Sequence, residues 1–420
     1  MKKYFILPMT VLMMGTASLT SCQNDDDDNS SINTVFSNKN FGNEAINSCD
    51  ALCNELEKAN SLIASTKLSD SQEAYLRKVL SGLIDNVIIP TYSELADDVE
   101  DLEQELRGLT VETITQERIN SACEDFLEAR RNWERSEAFL MGAASDFEID
   151  PTIDSWPLNR TLLLNSFNMG TTDNIEDQSI LGFHALEFIL FRDGKPRKIS
   201  ELKGYDSYKN FTGISGKQEL EYAQTVCKLL KERAFQLQVA WEGETAGNTS
   251  RMTVVKTVGL HYKTAYGLSY KDNMLLAGKD SRSTFATLQE AIAHVLSQDE
   301  GSCLAIANEV GTAKIANPFS AGDISYVESP YSYNSITDFQ DNIRSIRNVW
   351  YGSTDGKAAD TSFHGFFASL TGGTPTNTAV ENAISNAIDK IGDMPAPFVK
   401  YVSTIWDLEF EDDEDWEEKE

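Results

Sequence analysis

A chain of 420 residues with 41% hydrophobic side chains is long and apolar enough to bury a sizeable core. Its formal charge of −30 argues against nucleic acid as a partner and against adhesion to anionic lipid, and is compatible with attracting cations. Six cysteines, none in a Cys-x-x-Cys spacing, argue against a thiolate zinc site.

Lys2 and Lys3 precede a mostly apolar stretch from Tyr4 to Met14, and no acidic residue occurs before Asp25. This predicts a secretory signal peptide over residues 1–21, too short to span a membrane. Leu19-Thr20-Ser21-Cys22 has the form of a lipobox, so Cys22 is the expected site of lipidation. The mature protein would then meet the membrane through its lipid anchor only, at the outer membrane or cell surface. The acidic run Asp25–Asp28 resembles a signal sending lipoproteins to the cell surface; a solvated linker explains the same residues. Residues 22–40, polar and rich in Ser, Asn and Asp, are expected to form a flexible linker. Of the remaining cysteines, Cys49 and Cys53 stand one helical turn apart, an awkward spacing for a disulfide.

Helical periodicity then takes over. Leu76, Val79, Leu80, Leu83, Ile84, Val87 and Ile88 form one apolar stripe. Pro90 should bend that helix, with Tyr92, Leu95, Val99, Leu102 and Leu106 continuing it. The next stripe, Ile119, Cys123, Phe126, Arg130, Trp133, Glu137 and Leu140, puts Glu137 on an inward face. The run Ile180–Phe191 reads as a helix apolar almost all round, yet it contains His184 and Glu187 three residues apart on one face. Residues 192–217, with four glycines and Pro196, form the natural boundary. Beyond it run the seams Leu220–Trp241, Phe285–Ile292, Ile336–Trp350 and Val380–Ile391. Ser335-x-x-Asp338 has capping-box spacing, which predicts a helix starting at Ile336. No run alternates as a strand would. The expectation is an all-α protein of two consecutive helical bundles, residues 41–200 and 201–406, followed by an acidic tail over 407–420 in which ten of fourteen residues are Asp or Glu.

Burying a lone imidazole and a lone carboxylate is costly unless each finds a partner. For His184 and Glu187 that partner is either a polar network tying helices together or a metal ion. An imidazole nitrogen and a carboxylate oxygen suit a divalent metal such as iron or zinc, with further ligands supplied by other helices. Glu137 is the best extra carboxylate; an ion pair with Arg130 or Arg160 is the alternative for it. The chain lacks His-Glu-x-x-His and its inverse, so a peptidase would need another base, and Glu137 is the nominee.

The spelling Gly182-x-His184-x-x-Glu187 resembles the signature of the imelysin family, bacterial envelope proteins first described as insulin-cleaving metallopeptidases. Pro90-Thr91-Tyr92, the run Ala129–Phe139, Asp154-Ser155-Trp156-Pro157, Asn308-Glu309-Val310-Gly311 with Lys314-Ile315, and Ser329–Ser335 with Asp338-Phe339 look like further family segments, in order from about residue 41 to 405. The resemblance implies two related bundles packed together with the His184 helix near their interface. It makes metal binding at His184 and Glu187 the favoured reading and brings Ser332 and Asp338 into the same cleft, with Trp133 as a wall or a core side chain. It implies a metal ion or metal complex as ligand and envelope iron-transport components as partners. Iron uptake and peptide cleavage are the two activities it offers.

Overall fold

Amphipathic stripes of this kind are satisfied by packing helix on helix, and this chain does so. The computed structural model describes residues 29–170, 177–321 and 324–402, with backbone alone for 29–40. The expected signal peptide, Cys22 and the acidic tail lie outside the described residues.

The principal helices are α1 (Asn29–Ser65), α2 (Asp70–Leu83), α3 (Ile89–Leu106), α4 (Gln116–Glu134), α5 (Arg160–Met169) and α6 (Gly182–Leu190). A two-residue hairpin, β1 (Phe191–Arg192) and β2 (Lys195–Pro196), follows. After it come α7 (Gly216–Glu242), α8 (Thr249–Val258), α9 (Leu288–Ser297), α10 (Cys303–Glu309), α11 (Ser335–Tyr351), α12 (Phe363–Ser369) and α13 (Gly373–Gly392). Capping boxes start α2 at Ser69, α7 at Ser215 and α9 at Thr287, each satisfying otherwise orphaned amides. The backbone is already helical from Asn29, where a flexible linker as far as residue 40 was expected. Extending an existing helix adds one hydrogen bond per residue without a new nucleus, so polar residues can continue it. Pro90 follows a π-helical turn, Ile84–Ile88, where the Ile89 N–H donates to the Ile84 carbonyl.

The stripe from Leu76 to Ile88 is buried, as are Leu220, Ala223, Cys227, Leu230, Ala234, Leu237 and Trp241 along α7. The buried side chains form one continuous core. Its partners do not follow chain order. α3 packs on α4 and on α7, and α6 packs on α7 and α4. α1 instead lies against α9, α10 and α13, while α11 touches α13, α10 and α4. The packing therefore crosses the division expected near residue 200. An apolar stripe is closed by whichever face fits it, and its sequence does not say which. No helix among the described residues is long and apolar enough to cross a membrane.

Candidate metal centre

The centre is assembled where α6 meets the helical turn Asp150–Ile153. Gly182 opens α6 at φ +68°, and a Cβ there would stand 1.9 Å from the Ile153 carbonyl oxygen. Glycine alone permits that approach. It brings His184, in the first turn of α6, beside Asp154: His184 Nε2 lies 3.0 Å from Asp154 Oδ1, and His184 Nδ1 lies 3.9 Å from Glu187 Oε2.

Other elements converge on the same point. From α4, the buried Arg130 pairs with Asp154, Glu134 and Glu328. Trp133 Nε1 donates to Asp154 Oδ2 at 2.7 Å. Lys314, on the π-helical segment Val310–Ala321, places Nζ 2.9 Å from both carboxylate oxygens of Glu328 and 5.6 Å from the Trp156 ring centroid. Ligand atoms of Asp154, His184 and Glu328 all lie within 4.8 Å of one another.

Glu187 has two faces. Its Oε1 accepts from the amides of Tyr331 (3.0 Å) and Ser332 (2.7 Å) and from Ser332 Oγ (2.7 Å). It thereby anchors the loop that follows Glu328, where Ser329 (φ 49°) and Tyr333 (φ 63°) hold left-handed backbone. Asp338 secures that loop from α11, accepting from Ser329 Oγ at 2.5 Å and Asn334 Nδ2 at 2.6 Å. The capping box read from Ser335 and Asp338 is not formed. α11 begins at Ser335 itself, whose hydroxyl donates to the Glu328 carbonyl, because the loop needs both groups more than the helix start does.

Glu137 is buried as predicted but is not on α4. The helix stops at Glu134, with the Ser136 hydroxyl donating to the Trp133 carbonyl, and Glu137 opens a separate turn, Glu137–Phe139. It stands outside the Asp154–His184–Glu328 group and faces Lys314, Glu309 and Asp150. The cation facing it is thus Lys314, where an ion pair with Arg130 or Arg160 had been the alternative to a metal-ligand role.

The electrostatics are lopsided. Glu134, Glu137, Asp150, Asp154, Glu187, Glu309, Glu328 and Asp338 surround two permanent cations, Arg130 and Lys314. Burial pushes Glu134 and Glu137 well above the usual carboxylate range and Asp150 and Asp338 up to about 7. Asp154 goes the other way: burial opposes its charge, but Arg130 and His184 outweigh it and hold the carboxylate ionised. Burial likewise opposes an imidazolium at His184, and Asp154 overrides it, raising the group to about 9.

Several buried atoms here nevertheless make no hydrogen bond, among them His184 Nε2, Glu187 Oε2, Arg130 Nε and Trp156 Nε1; Glu134 Oε1 makes none either but is held by its ion pair with Arg130. The 3.0 Å approach of His184 to Asp154 is a charge contact without the alignment of a ring N–H bond. Excess buried acid must be protonated or balanced by a cation, and orphaned N and O atoms are the donors that iron or zinc accepts. The donor set fits a divalent metal.

Sequence reasoning brought His184 and Glu187 to one place. It put Trp133, Ser332 and Asp338 near them, where they act as supports. It passed over Asp154, Glu328 and Lys314. Asp154 stood in the Asp154–Pro157 segment and Lys314 behind Asn308–Gly311, so both carried a signal; Glu328 carried none.

Comparison with known proteins gives concordant results. The family model described as Imelysin matches residues 88–407. Iron-regulated protein A of Synechococcus elongatus is 24% identical over 290 residues, covering 69% of this chain and 68% of that one. Among solved structures, a candidate iron-regulated protein A precursor from Parabacteroides distasonis ATCC 8503 aligns with a TM-score of 0.60 at 24% identity, over 80% of this chain and 96% of the other. That likeness concerns the fold. An imelysin-like protein from Psychrobacter arcticum 273-4 aligns with a TM-score of 0.48 at 11% identity, over 81% and 95% of the two chains.

Proposed function

Because this chain belongs to the imelysin family, we propose that it binds a metal ion or metal complex at the Asp154–His184–Glu328 centre and contributes to iron uptake at the cell envelope. One observation carries the reading: eight carboxylates gather around two permanent cations, with His184 Nε2 and Glu187 Oε2 left without hydrogen-bond partners. Asp154, His184 and Glu328 would hold the ion, with the free oxygen of Glu187 beside them. Trp133 and Arg130 orient Asp154, as supporting groups orient ligands elsewhere. When bound, the metal supplies the positive charge that the buried carboxylates lack. The name of the Synechococcus relative supports iron as the element. Lipid attachment at Cys22, an outer-membrane or cell-surface location and work alongside envelope iron-transport components complete the proposal.

Peptide cleavage is the weaker reading. Its nominated base, Glu137, stands outside the Asp154–His184–Glu328 group, with Lys314 as the cation facing it, so it is not placed beside the proposed ion to activate water.

The test is elemental analysis of protein purified without chelator or affinity metal, beside the His184→Ala/Asp154→Asn variant. Near-stoichiometric iron or zinc is expected in the native protein and not in the folded variant. Chelation should lower the native Tm, since a ligand at 100 times its Kd stabilises by about 2.7 kcal/mol. An absence of iron and zinc after loading with both, and a Tm indifferent to chelator, would overturn the proposal.

A further inference from the structure

We propose that Lys314 is a displaceable counter-cation: it holds Glu328 until a metal ion takes that carboxylate, then moves outward to Glu309 and Glu137. The inference rests on the metal-binding reading above and concerns how that site is regulated.

Lys314 is 3% exposed, and its ammonium sits 2.9 Å from both Glu328 oxygens. Glu328 belongs to the Asp154–His184–Glu328 group, so a cation bound there needs an oxygen that Lys314 already occupies. The two cannot share it without cost, because an ammonium and a metal cation brought to one buried carboxylate repel each other.

The surroundings offer Lys314 somewhere to go. Glu309 Oε1 is 3.6 Å from its Nζ, on a side chain that is 46% exposed at the rim. Glu137, 6% exposed, makes no ion pair among the described residues, and Lys314 is the cation facing it. Arg130 has no such freedom, since its planar fork is pinned by Glu134, Asp154 and Glu328 together. A lysine pivots on a flexible four-carbon stem, and this one rises from a π-helical segment, a winding common at functional sites. The arrangement is a relay: an incoming ion meets the outer carboxylates first, and the lysine exchanges places with it.

The experiment is zinc titration by calorimetry on the full chain, native and Lys314→Met, chosen because zinc is redox-inert. Lys314→Met should bind zinc tighter by about tenfold or more, the competitor being gone. Glu309→Gln, a rim substitution, should weaken zinc binding in the native background and have little effect once Lys314 is Met, because Glu309 acts by receiving the lysine. In parallel, an amine-reactive ester read by mass spectrometry should label Lys314 slowly in metal-free protein and faster under saturating zinc. Native protein that binds zinc while Lys314→Met binds equally or more weakly would overturn the displacement and leave the metal site standing. Native protein that binds neither zinc nor iron would overturn both. Should Lys314→Met fail to fold, unchanged labelling of Lys314 under saturating zinc overturns the inference.

Discussion

At His184 two forces of opposite sign set the proton. Burial disfavours the imidazolium, the Asp154 carboxylate favours it, and the carboxylate wins, so the side chain stays charged up to about pH 9 against an ordinary value of 6.5. The sign of the linkage follows. A group whose pKa is raised on folding stabilises fully below its unfolded value and loses that contribution as pH rises through its folded value. With chelator present, Tm should therefore fall as pH rises from about 6.5 to 9, and His184→Gln should flatten that slope in a pH series of thermal melts. A slope unchanged in the variant would show that another group carries it. Glu187 shows a different economy at the same scale, one oxygen committed to three loop donors and the other left over.

The element that matters most is α6, and its first residue does no chemistry. Gly182 is there because the Ile153 carbonyl lies where a Cβ would be, and because the backbone has positive φ. Gly182→Ala must push the helix off the Asp154 turn. A loss of stability on the order of 3 kcal/mol or more is expected from the backbone clash and strain together. Urea denaturation checks the stability, and zinc titration of the surviving fold should show weakened binding. A variant as stable as the native protein would mean that the turn yields freely. The hairpin after α6 works with the same loop: the Gly194 amide donates to the Tyr331 carbonyl, and the Tyr333 ring covers Gly194.

Across the whole molecule the two halves complete each other. α7 follows the boundary in sequence but packs on α3 and α6, while α1 is closed by α13. A fragment comprising residues 201–420 would expose the faces of α7 and α13 that these partners cover. It should therefore melt without a cooperative transition by circular dichroism, in contrast to the full chain. A sigmoidal melt of that fragment would show that the C-terminal half forms its own core. The centre depends on the same interlocking, because Arg130 reaches Glu328 across 198 residues and Glu187 reaches Ser332 across 145.

What the sequence by itself determined is local. Periodicity marked the buried faces of α2, α3, α7 and α11, and the three-residue spacing put His184 and Glu187 on one side of one helix, because a helix repeats every 3.6 residues wherever it sits. Motif spelling pointed to the family. Tertiary structure alone decided what those faces meet. Asp154 joins His184 only because Gly182 lets two backbones touch, and Glu328 joins through a loop held by Glu187 and Asp338. Lys314 fills the place opposite Glu137 that one reading gave to Arg130 or Arg160. A stripe of side chains reports that a surface is buried; the convergence of charges from distant segments is a property of packing, and no short-range pattern encodes it.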